Sequence, residues 1–162
     1  MNEKKALVAY FSCSGVTKSL AERLAATAKA DIFEIRPSQP YSQEDLDWRD
    51  PQSRSSLEMK DPYCRPVLAT HCERIAEYDY IFVGFPIWWY VAPRIIDAFL
   101  ESHDLSGKTI IPFATSGGSG LGESENILHK LCPETVSWRP AKLLPGSASP
   151  AALSAWLDIL AL

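Results

Sequence analysis

The chain has 162 residues, enough for one domain to bury a core without disulfide or metal staples. Hydrophobic residues make up 46% and charged residues 22%, which excludes disordered and fibrous classes. The formal charge of -4, with no lysine or arginine run, excludes a phosphate-backbone scaffold, and no stretch approaches the roughly 20 apolar residues of a membrane span.

Cys13, Cys64, Cys72 and Cys132 show neither the paired spacing of a zinc site nor a redox Cys-x-x-Cys, so they read as free thiols. Lysines precede the apolar run from Ala6 to Phe11, but that run is short for an export signal and no small-residue cleavage site follows. A reducing, cytoplasmic setting is expected.

In chain order, Ala6 to Phe11 is a short apolar run of the kind a buried parallel strand shows, stopped by Ser12, Ser14 and Gly15. Leu20, Leu24, Ala25 and Ala28 then recur at helical spacing, and Ile32 to Ile35, closed by Pro37, reads as a second strand. From Ser38 to Pro66 no period survives, which predicts a long irregular insert. Leu68, Cys72, Ile75 and Ala76 predict a helix over Val67 to Tyr78. Tyr80 to Phe85 is the clearest strand, and Ile95, Ile96, Phe99 and Leu100 form the inner stripe of a helix after Ala92. Thr109 to Thr115 reads as a fourth strand with Pro112 inside it, where a bulge is expected. Gly122 to Leu131 reads as a helix and Val136 to Leu144 as a last strand. Pro150 to Leu160 is a closing helix with Leu153, Trp156, Leu157 and Leu160 on one side.

Strands alternating with helices at this spacing imply right-handed crossovers and a five-stranded, doubly wound parallel α/β sheet covered on both faces. Ligands of such sheets sit beyond the carboxyl ends of the strands, near the point where strand order reverses. The chemistry is therefore expected in the segments that follow the first, third and fourth strands.

After the first strand, Ser12-Cys13-Ser14-Gly15-Val16-Thr17 places three hydroxyls and a glycine at a helix start. Unpaired N–H groups and the positive end of the helix dipole can hold a phosphate there without a buried cation. A polar helix cap is the competing reading. No Gly-x-x-x-x-Gly-Lys-Ser/Thr or Gly-x-Gly-x-x-Gly pattern is present. Ser19 stands where a thiol phosphatase with Cys13 as its nucleophile needs arginine, so Cys13 is expected to contribute packing or a backbone amide.

After the third strand, Pro86-Ile87-Trp88-Trp89-Tyr90 puts three consecutive aromatics at a strand end. They suit the wall of a flat hydrophobic ligand, or else a plug for the sheet end or a partner subunit. Thr115-Ser116-Gly117-Gly118-Ser119-Gly120 offers amides and hydroxyls to the polar edge of a ring, or is a mere flexible turn.

Ser12-x-Ser14-Gly15-x-Thr17 resembles the flavodoxin phosphate loop, Thr/Ser-x-Thr/Ser-Gly-x-Thr. Gly84-x-Pro86-Ile87-Trp88-Trp89 and Pro112-Phe113-x-Thr115-Ser116-Gly117-Gly118-Ser119-Gly120 are similar to the later flavin loops of bacterial flavodoxin-like proteins. The resemblance covers nearly the whole chain, least closely Gln39 to Pro66. It implies strand order 2-1-3-4-5 and non-covalent FMN, with the phosphate on the first loop, the ring between the other two, and Trp88 or Trp89 stacking on it. Glu58, Arg65 and Pro66 also resemble family positions, where a solvated loop is the competing reading. His71, His103 and His129 share no ligand spacing.

The resemblance leaves two functions open. One is an electron carrier serving a redox partner protein, and the other is an oxidoreductase using NAD(P)H or a quinone on the same flavin; a monomer or a homodimer serves either. One departure stands out: flavodoxins commonly have glycine where Tyr90 sits, at a peptide that flips to stabilise the half-reduced flavin. If that flip requires positive φ, Tyr90 opposes it by about 1–2 kcal/mol, and weak stabilisation of the half-reduced state is expected.

Overall fold

The computed structural model describes residues 4–162. The elements in chain order are β1 (Ala6–Tyr10), α1 (Val16–Ala28), β2 (Asp31–Glu34), α2 (Arg54–Lys60), β3 (Tyr80–Pro86), α3 (Arg94–Glu101), β4 (Thr109–Thr115), α4 (Ser124–Lys130), β5 (Ser137–Trp138), β6 (Lys142–Leu143) and α5 (Pro150–Leu160). All ladders between these strands are parallel, in the order β2-β1-β3-β4-β5, with β6 also on β4. This is the expected doubly wound α/β sheet of flavodoxin-like topology.

Alternation along the strands divides the core in two. Leu7, Ala9 and Phe11 of the first strand segment, Ile81, Val83 and Phe85 of β3, and Ile110 and Ala114 of β4 face one layer, where Ile95, Ile96 and Phe99 of α3 meet them. Val8, Tyr10, Phe82, Ile111 and Phe113 face the other, covered by Leu20 and Leu24 of α1 and by Leu153, Trp156 and Leu160 of α5. Both faces of the central strands are dry, which is why they read as continuous apolar runs rather than alternating ones.

Four expectations need correction. The predicted helix over Val67 to Tyr78 is absent: Leu68 makes an isolated bridge with Pro37, Val67 is exposed, and only Ile75–Glu77 forms a turn of 3-10 helix. Its apolar residues were core anchors of an irregular segment, not a helical stripe. The insert, conversely, contains α2, started by Ser53, whose hydroxyl accepts the Ser56 N–H at 3.3 Å.

The single last strand is two short ones: the Arg139 N–H still donates to Ile110 O, but the next donor on that side, the Ala141 N–H, turns away to Glu125 Oε2 at 3.1 Å. That break also explains the missing bulge at Pro112. β4 runs unbroken against β3, with Val83 opposite Pro112. The carbonyls of Lys108, Ile110 and Ala114 accept bonds from the β5 and β6 side. Pro112 shares their parity and so presents its donor-less nitrogen to that side, where β5 has ended and β6 has not begun.

Candidate functional site

Three loops meet at the carboxyl edge of the sheet. The loop between β1 and α1 begins while β1 is still paired, since the Phe11 N–H donates to Gly84 O at 2.9 Å. Ser12 Oγ accepts the Gly15 N–H at 3.2 Å and so folds the turn back on itself. Gly15 has φ 89°, in the left-handed region that favours glycine, and the space beside its Cα is open. It occupies the N-cap position of α1, where no side chain caps the helix and no acidic residue lies in the first turn. The first-turn N–H groups have no acceptor inside a helix, so they face outward with the dipole behind them. Cys13, Ser14 and Val16 are exposed around them.

Thr17 is different. It is buried, and its Oγ1 lies 2.8 Å from Thr115 Oγ1 at the end of β4. Its hydroxyl ties the first loop to the third instead of projecting into solvent as Ser14 does. The far side of α1 is fixed as well, because Arg23 donates to Ala148 O at 2.5 Å and to Gly146 O.

After β3, the Ile87 N–H donates to Thr115 O at 2.9 Å and holds the second loop against the third. Trp88 and Val91 then exchange reciprocal N–H···O bonds of 2.9 and 3.1 Å around a two-residue turn. Its central residues, Trp89 at φ 50° and Tyr90 at φ 64°, are both left-handed, the signature of a type I′ turn and one that bulky side chains rarely adopt. Gly122, at φ 52°, lies directly behind; a Cβ there would overlap Tyr90 O.

The turn sends its aromatics different ways. Trp88 packs inward, edge-on to Phe11 at 5.7 Å and to Tyr41 of the insert at 5.4 Å. Trp89 and Tyr90 remain 45% and 61% exposed. In the third loop Thr115 is buried, Ser116 Oγ accepts the Gly118 N–H at 3.1 Å, and the space beside Gly117, Gly118 and Gly120 is open. Ser119 is half-buried between them. All the segments singled out in the sequence therefore lie at one edge of the sheet, though Thr17 and Trp88 are turned inward.

Sequence reasoning missed a cluster in the insert. Tyr41 donates its hydroxyl to Glu58 Oε1 at 2.5 Å, Arg54 donates to Glu58 Oε2 at 3.0 Å, and the Arg54 guanidinium lies 3.9 Å from the Tyr41 ring centroid. Glu58 is thus buried and paired, not solvated. Burial, and then the bond to Glu58, push the Tyr41 phenol above its ordinary range. Desolvation likewise pushes the Cys13 thiol up to about 12, against the lowering effect of Arg54. The only advance signal was Arg54 preceding Glu58 by four residues, a common helical pair.

Arg65 lies apart from Glu58, against α3. It donates to Pro62 O at 2.9 Å, pairs with Glu101, and approaches Asp97 Oδ2 at 3.8 Å. His103 has a structural role, its Nε2 accepting the Cys72 N–H at 2.9 Å while Nδ1 lies 2.8 Å from Phe99 O. Burial lowers its pKa. Among the described residues no group of His, Cys, Asp or Glu is arranged to hold a metal ion.

A family model described as Flavodoxin matches residues 5–160. A flavoprotein candidate from Bacteroides eggerthii is 48% identical, covers 99% of each chain and superposes with a TM-score of 0.93. A second, from Bacteroides uniformis, is 44% identical over 97% of this chain and 99% of that one, with a TM-score of 0.91. A flavoprotein from Lactobacillus acidophilus in complex with FMN shares the fold at 18% identity and a TM-score of 0.72, covering 99% of this chain and 100% of its own. No curated protein matches. With the family match running almost from end to end of the chain and the topology agreeing strand for strand, the protein belongs to the flavodoxin family.

Proposed function

We propose that the chain binds FMN non-covalently at the edge formed by the three loops and serves as a redox protein. The observation that carries this reading is the start of α1: an uncapped helix N-terminus, free of acidic side chains, with a left-handed Gly15 opening the approach. Those features suit a terminal phosphate. Ser12 and Ser14 add hydroxyls, Cys13, Val16 and Thr17 offer amides, and Gly15, its own N–H held by Ser12 Oγ, leaves the approach open. Ile87, Trp89 and Tyr90 after Pro86, together with Ser116, Gly117, Gly118, Ser119 and Gly120 after Thr115, would flank the ring. Trp88 braces that wall from behind through Phe11 and Tyr41.

Bound FMN supplies one- or two-electron chemistry; the residues of this chain orient it, exclude water and set its surroundings. The recipient of the electrons is a redox partner protein or a small acceptor. Denaturing the purified protein and identifying the flavin released tests the proposal: about one FMN per chain supports it, and FAD alone or no flavin from protein purified and reconstituted with excess FMN overturns it.

A second reading, an NAD(P)H- or quinone-dependent oxidoreductase, is favoured by one feature. Beside Trp89 a cleft opens toward the insert, where a carrier that only docks a protein needs none. Steady-state oxidation of NADH or NADPH with a quinone acceptor separates the two.

A further inference from the structure

The cleft beside Trp89 has a volume of about 370 Å³ and is lined by Trp48, Arg49, Pro51, Met59, Lys60 and Trp89, together with the buried Ser56. We propose that it binds a planar aromatic anion, stacked on the two indoles with its negative group toward Arg49 and Lys60. This deepens the oxidoreductase reading and rests on it for what becomes of the ligand, though not for the binding itself.

Several observations converge on the cleft. Trp48 is 71% exposed and Trp89 45% exposed, so two of the largest apolar side chains are left facing water across one opening. The fold covers neither, and large exposed aromatics brought together mark a binding surface; Trp89 is shared with the wall proposed for the flavin, whereas Trp48 belongs to the cleft alone. Trp89 is held there at a conformational cost, since it occupies a left-handed backbone position that glycine or asparagine would fill without strain. Strain of this kind persists where function requires the side chain.

The lining also decides the sign of the ligand's charge. Paired aromatics can cage a cation, but every charged residue lining this cleft is basic. Arg49 spends its Nε on Asp47 at 3.3 Å, leaving the far end of the guanidinium fork for a planar oxyanion. Lys60 donates to Pro51 O at 3.2 Å and keeps further protons to donate. A carboxylated or sulfonated ring system answers both the stacking faces and the cations. It would lie next to the loop assigned to the flavin.

Calorimetric titration with anthraquinone sulfonate, performed on flavin-free and FMN-loaded protein, tests the proposal. Saturable binding to both forms is expected, weakened about tenfold or more by Trp48→Ala and by the pair Arg49→Glu and Lys60→Glu. These side chains are exposed, so the variants fold. N-methylacridinium, a planar cation, is expected to bind at least about tenfold more weakly. Binding indifferent to Trp48→Ala, equal affinity for the cation, or loss of sulfonate binding on FMN loading would each overturn the site. If FMN fails to load, the redox reading falls, while the flavin-free titration still decides the cleft.

Discussion

At the scale of single residues, the turn at Trp89-Tyr90 carries the most information. Two adjacent L-residues in the left-handed region store about 1–2 kcal/mol each. Replacing them with Asn-Gly, the pair that suits a type I′ turn, is expected to stabilise the fold by about 1–2 kcal/mol in denaturant unfolding, because both side chains are largely exposed. The same change should weaken ligand binding, a trade typical of strained functional positions. Gly122→Ala should have the opposite effect on stability, a loss of about 2–3 kcal/mol by thermal unfolding, since its Cβ would meet Tyr90 O while the backbone stays left-handed.

The departure at Tyr90 was visible in the sequence, but its physical meaning was not. Tyr90 already sits at positive φ, so it does not resist reaching that state. Rotating the Trp89–Tyr90 peptide would turn type I′ into type II′, which frees Tyr90 and instead demands glycine at Trp89. The opposition to a flip remains and moves one residue upstream. Stoichiometric photoreduction of FMN-loaded protein is therefore expected to show little half-reduced flavin, and Trp89→Gly to increase it.

At the scale of elements, the insert is tied to α3 by a buried ionic group. Arg94 donates to Met59 O at 2.9 Å, and Asp97, 1% exposed, lies 3.6 Å from Arg94 and 3.8 Å from Arg65, with Glu101 on the outer side of Arg65. Neither Asp97 oxygen has a hydrogen bond, and burial pushes its pKa up to about 6 despite both arginines. A carboxyl whose folded pKa is raised gives stability that is whole below its unfolded pKa, near 4, and lost as pH rises through about 6. Asp97→Asn removes that dependence. Its stability relative to the parent protein should therefore rise by about 2 kcal/mol between pH 4 and pH 8, read as the difference between two chemical-denaturation series.

Legibility at this scale follows the physics. β1, β3 and α3 were plain because they are buried on one or both faces and their apolar residues keep the period of the element. The insert was opaque because α2 is one short helix held by polar bonds, among them Ser53 to Ser56 and Arg54 to Glu58, which leave no periodic apolar stripe. The segment 67–78 misled in the other direction. Leu68, Cys72 and Ile75 pack into the core singly, and their helical spacing was coincidental. The loops of the candidate site were legible as segments, since position after a strand is a topological fact. The inward turn of Thr17 toward Thr115 depends on a contact between residues 98 apart, which no local pattern carries.

At the scale of the whole molecule, the three loops behave as one edge because the sheet beneath them is continuous. Thr17 to Thr115, Ile87 to Thr115 and Phe11 to Gly84 lace the ends of β1, β3 and β4 together. Thr17→Val would leave Thr115 unpaired in a buried setting at a cost of about 1–3 kcal/mol, and pairing it with Thr115→Val should recover part of that in a double-mutant cycle. Such an edge holds its amides and aromatics in place before a ligand arrives. The proposed site depends on α1 offering its N-terminus to a phosphomonoester, and the most direct measurement is the affinity of flavin-free protein for FMN beside that for riboflavin, followed by the quenching of flavin fluorescence. One FMN per chain, held at least about 100-fold more tightly than riboflavin, is the predicted result; equal affinities, or no binding of either, would contradict it.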